Sequence, residues 1–246
     1  MFGFGTELNN YCRSFIRILY PPYCVLCRIP LMLEETYLCS SCAQVIQPLK
    51  APLCLRCSEP LPPYGKGRSV CSACRSQRPY YDRGFAIIRY EDPIRTIFHQ
   101  IKFQKKLWLL KIFSKLVASF SSSIKANDYE MIVPVPLDAT RERQRGFNQA
   151  FLIAKMVERS FQNDRPAVSP LLFKKRRLLP QSQLKRQERL ENLGGAFCVK
   201  KRGCAQGKRI LLVDDIVTTG STLNECARIL KEDGAEHVDF FTVARS

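Results

Sequence analysis

Long apolar runs are missing from this chain. No stretch approaching the ~18 consecutive apolar residues of a membrane span occurs in its 246 residues, so no such segment is expected. The first twenty residues carry Phe4, Leu8, Phe15, Ile16, Ile18 and Leu19, but also Glu7, Arg13 and Arg17. They lack the apolar core and small-residue cleavage site of a secretory signal, which leaves residues 1–19 reading as an amphipathic helix and the protein as cytoplasmic. Histidine is scarce: His99 falls inside a predicted helix and His237 just before a predicted last strand, so neither is placed as a general base. Acidic residues are also short, 22 against 39 lysines and arginines, for a net charge of +17. The excess is uneven. Between Leu171 and Ile210 there are twelve basic residues and two acids, Glu188 and Glu191. Such a field attracts polyanions, nucleic acid among them.

Cysteine, by contrast, is plentiful. Eight of the twelve fall in four C-x-x-C pairs, Cys24/Cys27, Cys39/Cys42, Cys54/Cys57 and Cys71/Cys74, separated by 11, 11 and 13 residues. Two thiolates at this spacing on a tight turn bind one metal ion, and two such turns complete a tetrahedral site. A disulfide framework would need an oxidising compartment, so two structural zinc ions are expected. Sequential pairing is the default, Cys24, Cys27, Cys39 and Cys42 on one ion and Cys54, Cys57, Cys71 and Cys74 on the other; a cross-brace remains open. With all eight thiolates used no coordination position is free for chemistry. Between Tyr20 and Arg78 the chain is rich in proline and poor in apolar periodicity, and would hardly fold without metal. Cys12, Cys198, Cys204 and Cys226 have no partner at metal spacing, and Cys226 reads as a packed thiol.

From Gly84 onward strand and helix alternate. Gly84–Tyr90 reads as a strand; Pro93 opens a helix with Ile94, Ile97, Phe98 and Ile101 on one face; a second helix is predicted from about Lys106 to Ser121. Met131–Val135 and Ala167–Phe173 read as strands, Phe147–Ser160 and Leu223–Asp233 as helices, and Val238–Val243 as a last strand. This alternation predicts an α/β fold, a parallel sheet flanked by helices, with the ligand at the carboxyl ends of the strands. The expected division is an N-terminal helix over 1–19, a cysteine module over 20–78 and an α/β domain over 79–246.

The stretch Arg209–Leu223 carries the most chemistry. Four apolar residues, Ile210–Val213, lead into Asp214 and Asp215, followed by the hydroxyl-rich turn Thr218-Thr219-Gly220-Ser221-Thr222 and a helical pattern. Backbone N–H groups and the positive dipole end at such a helix start suit a phosphate. The carboxylates would repel that phosphate and are better placed for the hydroxyls of a sugar carrying it, directly or through a metal ion. The stretch resembles the phosphoribosyl-diphosphate (PRPP) motif of type I phosphoribosyltransferases. Carried over, Asp214 and Asp215 hold the ribose and Thr218, Thr219, Gly220, Ser221 and Thr222 the 5′-phosphate, with Mg²⁺ accompanying PRPP.

Two further segments are expected at the site. Arg141, Arg143 and Arg145, before Gly146, read as a loop whose guanidinium forks suit pyrophosphate. Gln181 to Phe197, with Arg186, Arg189 and Asn192, reads as a mobile cover over the ligand or as a solvated linker. The order of these features, a cysteine module, Lys102-Phe103, Val133-Pro134-Val135-Pro136, Arg145-Gly146-Phe147-Asn148-Gln149 and the PRPP motif, resembles the ComF (ComFC) family, a double zinc ribbon fused to a type I phosphoribosyltransferase domain. One departure is that Gln104-Lys105-Lys106 stands where the family has a glycine shortly after the lysine. The resemblance implies a competence protein that handles incoming single-stranded DNA in natural transformation beside a helicase-like partner. It also implies a ligand set in which Arg143, Arg145, Lys102 and Arg189 meet the pyrophosphate. The sequence leaves turnover undecided: the same site serves an active phosphoribosyltransferase of nucleotide metabolism or salvage, or a binding protein on that scaffold.

Overall fold

The computed structural model describes residues 21–32, 34–46, 48–62, 69–124, 128–161, 165–175 and 196–246. The expectations placed on 1–19 and on most of the Gln181–Phe197 cover, Arg189 included, lie outside the described residues, as does Cys12. In chain order the elements are α1 (Ser40–Val45), α2 (Ser72–Gln77), β1 (Arg83–Arg89), α3 (Ile94–Gln104), a 3₁₀ helix (Leu107–Phe113), α4 (Ser114–Ser123), β2 (Met131–Pro134), α5 (Ala139–Arg145), α6 (Gln149–Ser160), β3 (Ala167–Val168), β4 (Leu172–Lys174), β5 (Phe197–Val199), β6 (Arg209–Val217), α7 (Ser221–Glu232) and β7 (His237–Arg245).

Five strands form one sheet in the order β1-β7-β6-β2-β3, every pair parallel. The central strands show why. β6 begins with the fully buried run Ile210–Val213, and β7 is buried from Val238 through Ala244. Runs like these leave no face for water, so both faces of the sheet must be covered. On one face Ile97, Phe98, Ile101, Phe113, Val117 and Ile153 pack against Leu211, Val213, Phe241 and Val243. On the other, Leu223, Cys226, Ala227 and Leu230 of α7 meet Ile210, Leu212, Val238 and Phe240, and the same cluster takes in Tyr81, Cys54, Cys57 and Cys74. The second four-cysteine group is therefore part of the domain's own core.

Two elements differ from expectation. The second helix begins as a 3₁₀ helix, because Lys105 ends α3 in the left-handed region (φ 54°) and Leu107, Leu110 and Phe113 then repeat at three, the period of a 3₁₀ turn. Lys105 thus occupies, with a side chain, a conformation that favours glycine. The expected strand Ala167–Phe173 is broken by Pro170: β3 pairs with β2 in the main sheet, while β4 pairs antiparallel with β5 in a separate ribbon. No helix among the described residues is long and apolar enough to cross a membrane.

Candidate ligand site and metal centres

The eight paired cysteines gather sequentially. The sulfurs of Cys24, Cys27, Cys39 and Cys42 lie within 4.8 Å of one another, as do those of Cys54, Cys57, Cys71 and Cys74. Both donor sets fit a zinc ion, four thiols at the corners of a site with no ligand left over. The geometry of each group follows from its sequence. In Pro22–Leu31 the amide of Cys24 donates to the carbonyl of Ile29 (2.8 Å), and that of Leu31 to Pro22 (2.7 Å). In Pro52–Leu61 Cys54 donates to Glu59 and Leu61 to Pro52, both at 2.8 Å. The two segments are a repeat, P-x-C-x-x-C-x-x-P-L, which the spacing of cysteines alone did not bring out. Each second turn is also the same: Cys39 and Cys71 cap α1 and α2, accepting from the amides of Cys42 and Cys74. Burial raises the Cys24 thiol, but backbone donors at Cys27, Cys39 and Leu26 outweigh it and bring it down to about 6. Burial pushes Cys42 up to about 12 and Cys74 up to about 11. Loading a metal must therefore displace protons.

The two aspartates lie within β6 rather than beyond it. Pairing with β7 continues to Val217, whereas β2 pairs only as far as Val213, so Asp214 and Asp215 stand where the sheet opens on the β2 side. Successive side chains on a strand point to opposite faces. Asp215 faces α3, where its Oδ2 lies 2.7 Å from Lys102 Nζ, with both side chains largely buried. Asp214 lies toward Cys226 of α7, whose thiol is pushed up by burial and then by the Asp214 charge. Burial, then the charge of Asp215, pushes Asp214 up to about 8; the Asp215 amide, donating to Asp214 Oδ1 at 2.8 Å, and Lys102 act the other way. Beside Asp214 in the sheet register is Thr242, fully buried, with a hydroxyl that has no hydrogen-bond partner among the described residues. Residue-type reasoning had no signal for it, because its role depends on which strand adjoins β6.

Beyond Val217 the chain turns through Thr218 and Thr219, both exposed, into α7. Gly220 precedes the helix at φ 75°, a left-handed position that glycine takes without strain. The N-cap Gly220 has no side chain to cap α7; Thr219 Oγ1 lies 2.8 Å from Ser221 Oγ and accepts from the Ser221 amide at 3.4 Å. The loop stands at the positive end of a twelve-residue helix.

The arginine segment is a helix, not the loop expected. Asp138 caps α5, accepting from Thr140 N at 2.9 Å, and Gly146 closes it at φ 81°. An N-cap aspartate and a C-terminal glycine were the signals for it. Residues two apart on a helix diverge by roughly 200°, so Arg143 and Arg145 point to different sides. Arg145 donates to Gln149 Oε1 (3.2 Å) and lies 5.8 Å from the ring of Phe103, next to Lys102. Arg143 is exposed on the other side. The structure thus brings Lys102 to Asp215 and Arg145 beside Phe103, but does not bring Arg143 to them. Asn148 caps α6, and its amide donates to the Val135 carbonyl at 3.0 Å. His237 is held by Asp239 (2.7 Å) at the start of β7, the opposite end of the sheet.

A cavity of about 590 Å³ lies between the loop and the second four-cysteine group, lined by Thr219, Gly220, Ser221 and Asn224 and by Cys57, Cys74 and Tyr81. Tyr81 is a second residue that no local sequence pattern singles out. Burial, then the charges of Cys74 and Cys57, pushes its phenol well above the usual range.

A double zinc ribbon model matches residues 15–75, which hold all eight paired cysteines, and a phosphoribosyl transferase domain model matches residues 158–246. The chain is 30% identical to "Competence protein F" of Haemophilus influenzae, over 91% of this chain and 96% of that protein. It is 31% identical to "DNA utilization protein YhgH" of Escherichia coli, over 92% of this chain and 98% of the relative. It is also 30% identical to "Competence protein ComFC" of Bacillus subtilis, over 88% and 87%. The chain belongs to the ComF family. As in that architecture, a double zinc ribbon precedes a phosphoribosyltransferase-type domain. The transferase match contains Asp214–Thr222, whereas Lys102, Arg143 and Arg145 lie before it.

Proposed function

We propose that this ComF-family protein handles single-stranded DNA during natural transformation, in the cytoplasm, and binds PRPP with Mg²⁺ in the site built around Asp214, Asp215 and the Thr218–Thr222 loop. One observation carries the ligand reading: two carboxylates on β6 are followed, directly after the strand, by a glycine turn into the positive end of α7. The loop amides, with the Thr219 and Ser221 hydroxyls, would take the 5′-phosphate. Asp214 and Asp215 would take the ribose hydroxyls. Lys102 keeps donors to spare beside Asp215 and, with Arg145, would meet the pyrophosphate; Arg143 and Arg189 complete the proposed set, Arg143 from the far side of α5. Oxygen donors of this kind suit a hard cation, and Mg²⁺ when bound supplies charge to offset that of the diphosphate. The names of the relatives and the charge of +17 support the DNA reading.

Calorimetric titration of Mg²⁺–PRPP into zinc-loaded protein, beside Asp214→Asn/Asp215→Asn, tests the ligand. Binding by the wild type alone is expected; equal binding by both would remove the aspartates from the site. DNA binding is expected to fall steeply with salt and to survive the double substitution.

A second reading, transfer of the phosphoribosyl group to an acceptor in nucleotide metabolism, draws on a cleft of about 560 Å³ at the start of α6. Pro136, Phe147, Phe151 and Phe173 line it, with Lys174 and Lys200 at its polar side. Its size and apolar walls suit a flat ring. Pyrophosphate release that depends on an added acceptor would establish this reading.

A further inference from the structure

The 590 Å³ cavity joins the second metal group to the loop, and its charge decides how. Four thiolates on a divalent ion carry a net charge of about −2. The two carboxylates that line the cavity are already paired, Glu59 with Arg245 at 2.9 Å and Glu225 with Arg228 at 2.7 Å, so among the described residues no arginine there is left to offset the charge of the metal group. A phosphate placed there would be repelled. The loop must therefore meet an anion on its other side, and the cysteine group can act on the loop only from behind.

The contacts for such an action are present. The Tyr81 hydroxyl lies 3.3 Å from the point where a side chain at Gly220 would begin, so the phenol rests on the turn itself. Tyr81 is 5% exposed, and its ring stands edge-on to Phe240 of β7 with 4.8 Å between centroids. It cannot swing away without leaving the core. Next to it, Tyr80 N donates to Asn224 Oδ1 in the first turn of α7 at 2.7 Å. The first four-cysteine group instead neighbours the 3₁₀ helix, through Tyr37 on Trp108 (5.6 Å).

We propose that Tyr81 is a positioning residue that holds the Gly220 turn against the second four-cysteine group, so that metal in that group, and not in the first, sets the geometry of the loop. The identity of the loop's ligand rests on the PRPP reading; the coupling between metal group and loop does not.

The test uses full-length, zinc-loaded protein as wild type, Tyr81→Phe and, as a control on the first group, Tyr37→Phe. Hydrogen exchange of the amides of residues 218–224 is read beside zinc content and Mg²⁺–PRPP titration. Tyr81→Phe keeps the ring on Phe240 and removes only the hydroxyl. Its loop amides are expected to exchange about tenfold faster, and Mg²⁺–PRPP to bind about tenfold more weakly, the scale of losing a hydroxyl that touches the Gly220 turn and bonds the Cys74 sulfur. Zinc content and the Ile210–Val213 amides should not change. Unchanged loop exchange in Tyr81→Phe would overturn the proposal, as would equal acceleration in Tyr37→Phe or loss of zinc from Tyr81→Phe. If the wild type does not bind Mg²⁺–PRPP but loop exchange still rises in Tyr81→Phe alone, the ligand reading falls and the positioning role stands.

Discussion

Pro22–Leu31 and Pro52–Leu61 share one pattern and one set of backbone hydrogen bonds, yet they relate differently to the rest of the chain. The first group's Cys24 and Cys39 form a small cluster with Leu31. The second group's Cys54, Cys57 and Cys74 belong to the core that also holds Phe240 and α7. The difference arises at two positions of the repeat. Arg28 and Ser58 both take the left-handed conformation after the second cysteine, with φ of 63° and 59°. Arg28 is exposed, whereas Ser58 is buried, donates to the Gly84 carbonyl (2.7 Å) and accepts from the Ala86 amide (3.1 Å). At the next position Ile29 is exposed, while Glu59 pairs with Arg245 at the end of β7. A serine and a glutamate thus tie the second turn to the edge strand by polar contacts, whereas the first turn meets the domain through apolar ones, with Val25 buried in the core on the other face of the sheet. The metal geometry is generic, and the docking is specific.

The largest effect should come from breaking each metal group in turn. Cys57→Ser removes a buried ligand from the shared core and should cost about 4 kcal/mol, lowering the thermal midpoint by about 10 °C. Cys27→Ser, at an exposed sulfur, should lower it by about 3 °C or less, although zinc is lost in both. Calorimetric melts with zinc assays read this directly, and equal shifts would erase the distinction.

Next in size is Gly84→Ala. A Cβ there would stand 2.3 Å from the Phe240 ring and 2.6 Å from the Arg56 carbonyl, so β1 and the second group could not keep their approach. A loss of about 2–3 kcal/mol is expected in denaturant unfolding. Smaller still, and opposite in sign, are glycine substitutions at the matched left-handed positions. Ser58→Gly relieves the backbone but removes a buried hydroxyl bridge and should cost about 1 kcal/mol, while Arg28→Gly should gain about 0.5 kcal/mol. If both substitutions stabilise the protein, the Ser58 bridge contributes nothing.

The sequence made the main features legible where a local pattern suffices. The apolar run into Asp214-Asp215 and the Gly220 turn marked β6, the loop and α7 to within a few residues, and the four C-x-x-C pairs marked the two four-cysteine groups. Periodicity placed α3 and α6. What it missed depends on contacts between distant segments. Ser58, Glu59 and Arg245 are ordinary polar residues until β1 and β7 lie together, and Tyr81 and Thr242 matter only through their neighbours Gly220 and Asp214. Two of the differences do have local signals. Asp138 and Gly146 bracket a helix around the arginines, and Pro170 breaks the strand before β4.

The most direct test is a Mg²⁺–PRPP titration of Cys27→Ser/Cys42→Ser, purified with zinc in its second group alone, beside the wild type. Binding with wild-type affinity is the result predicted, because the loop is held by the second group and Tyr81. Loss of binding in this variant, with the wild type still binding, would contradict the account and make the two metal groups a single unit.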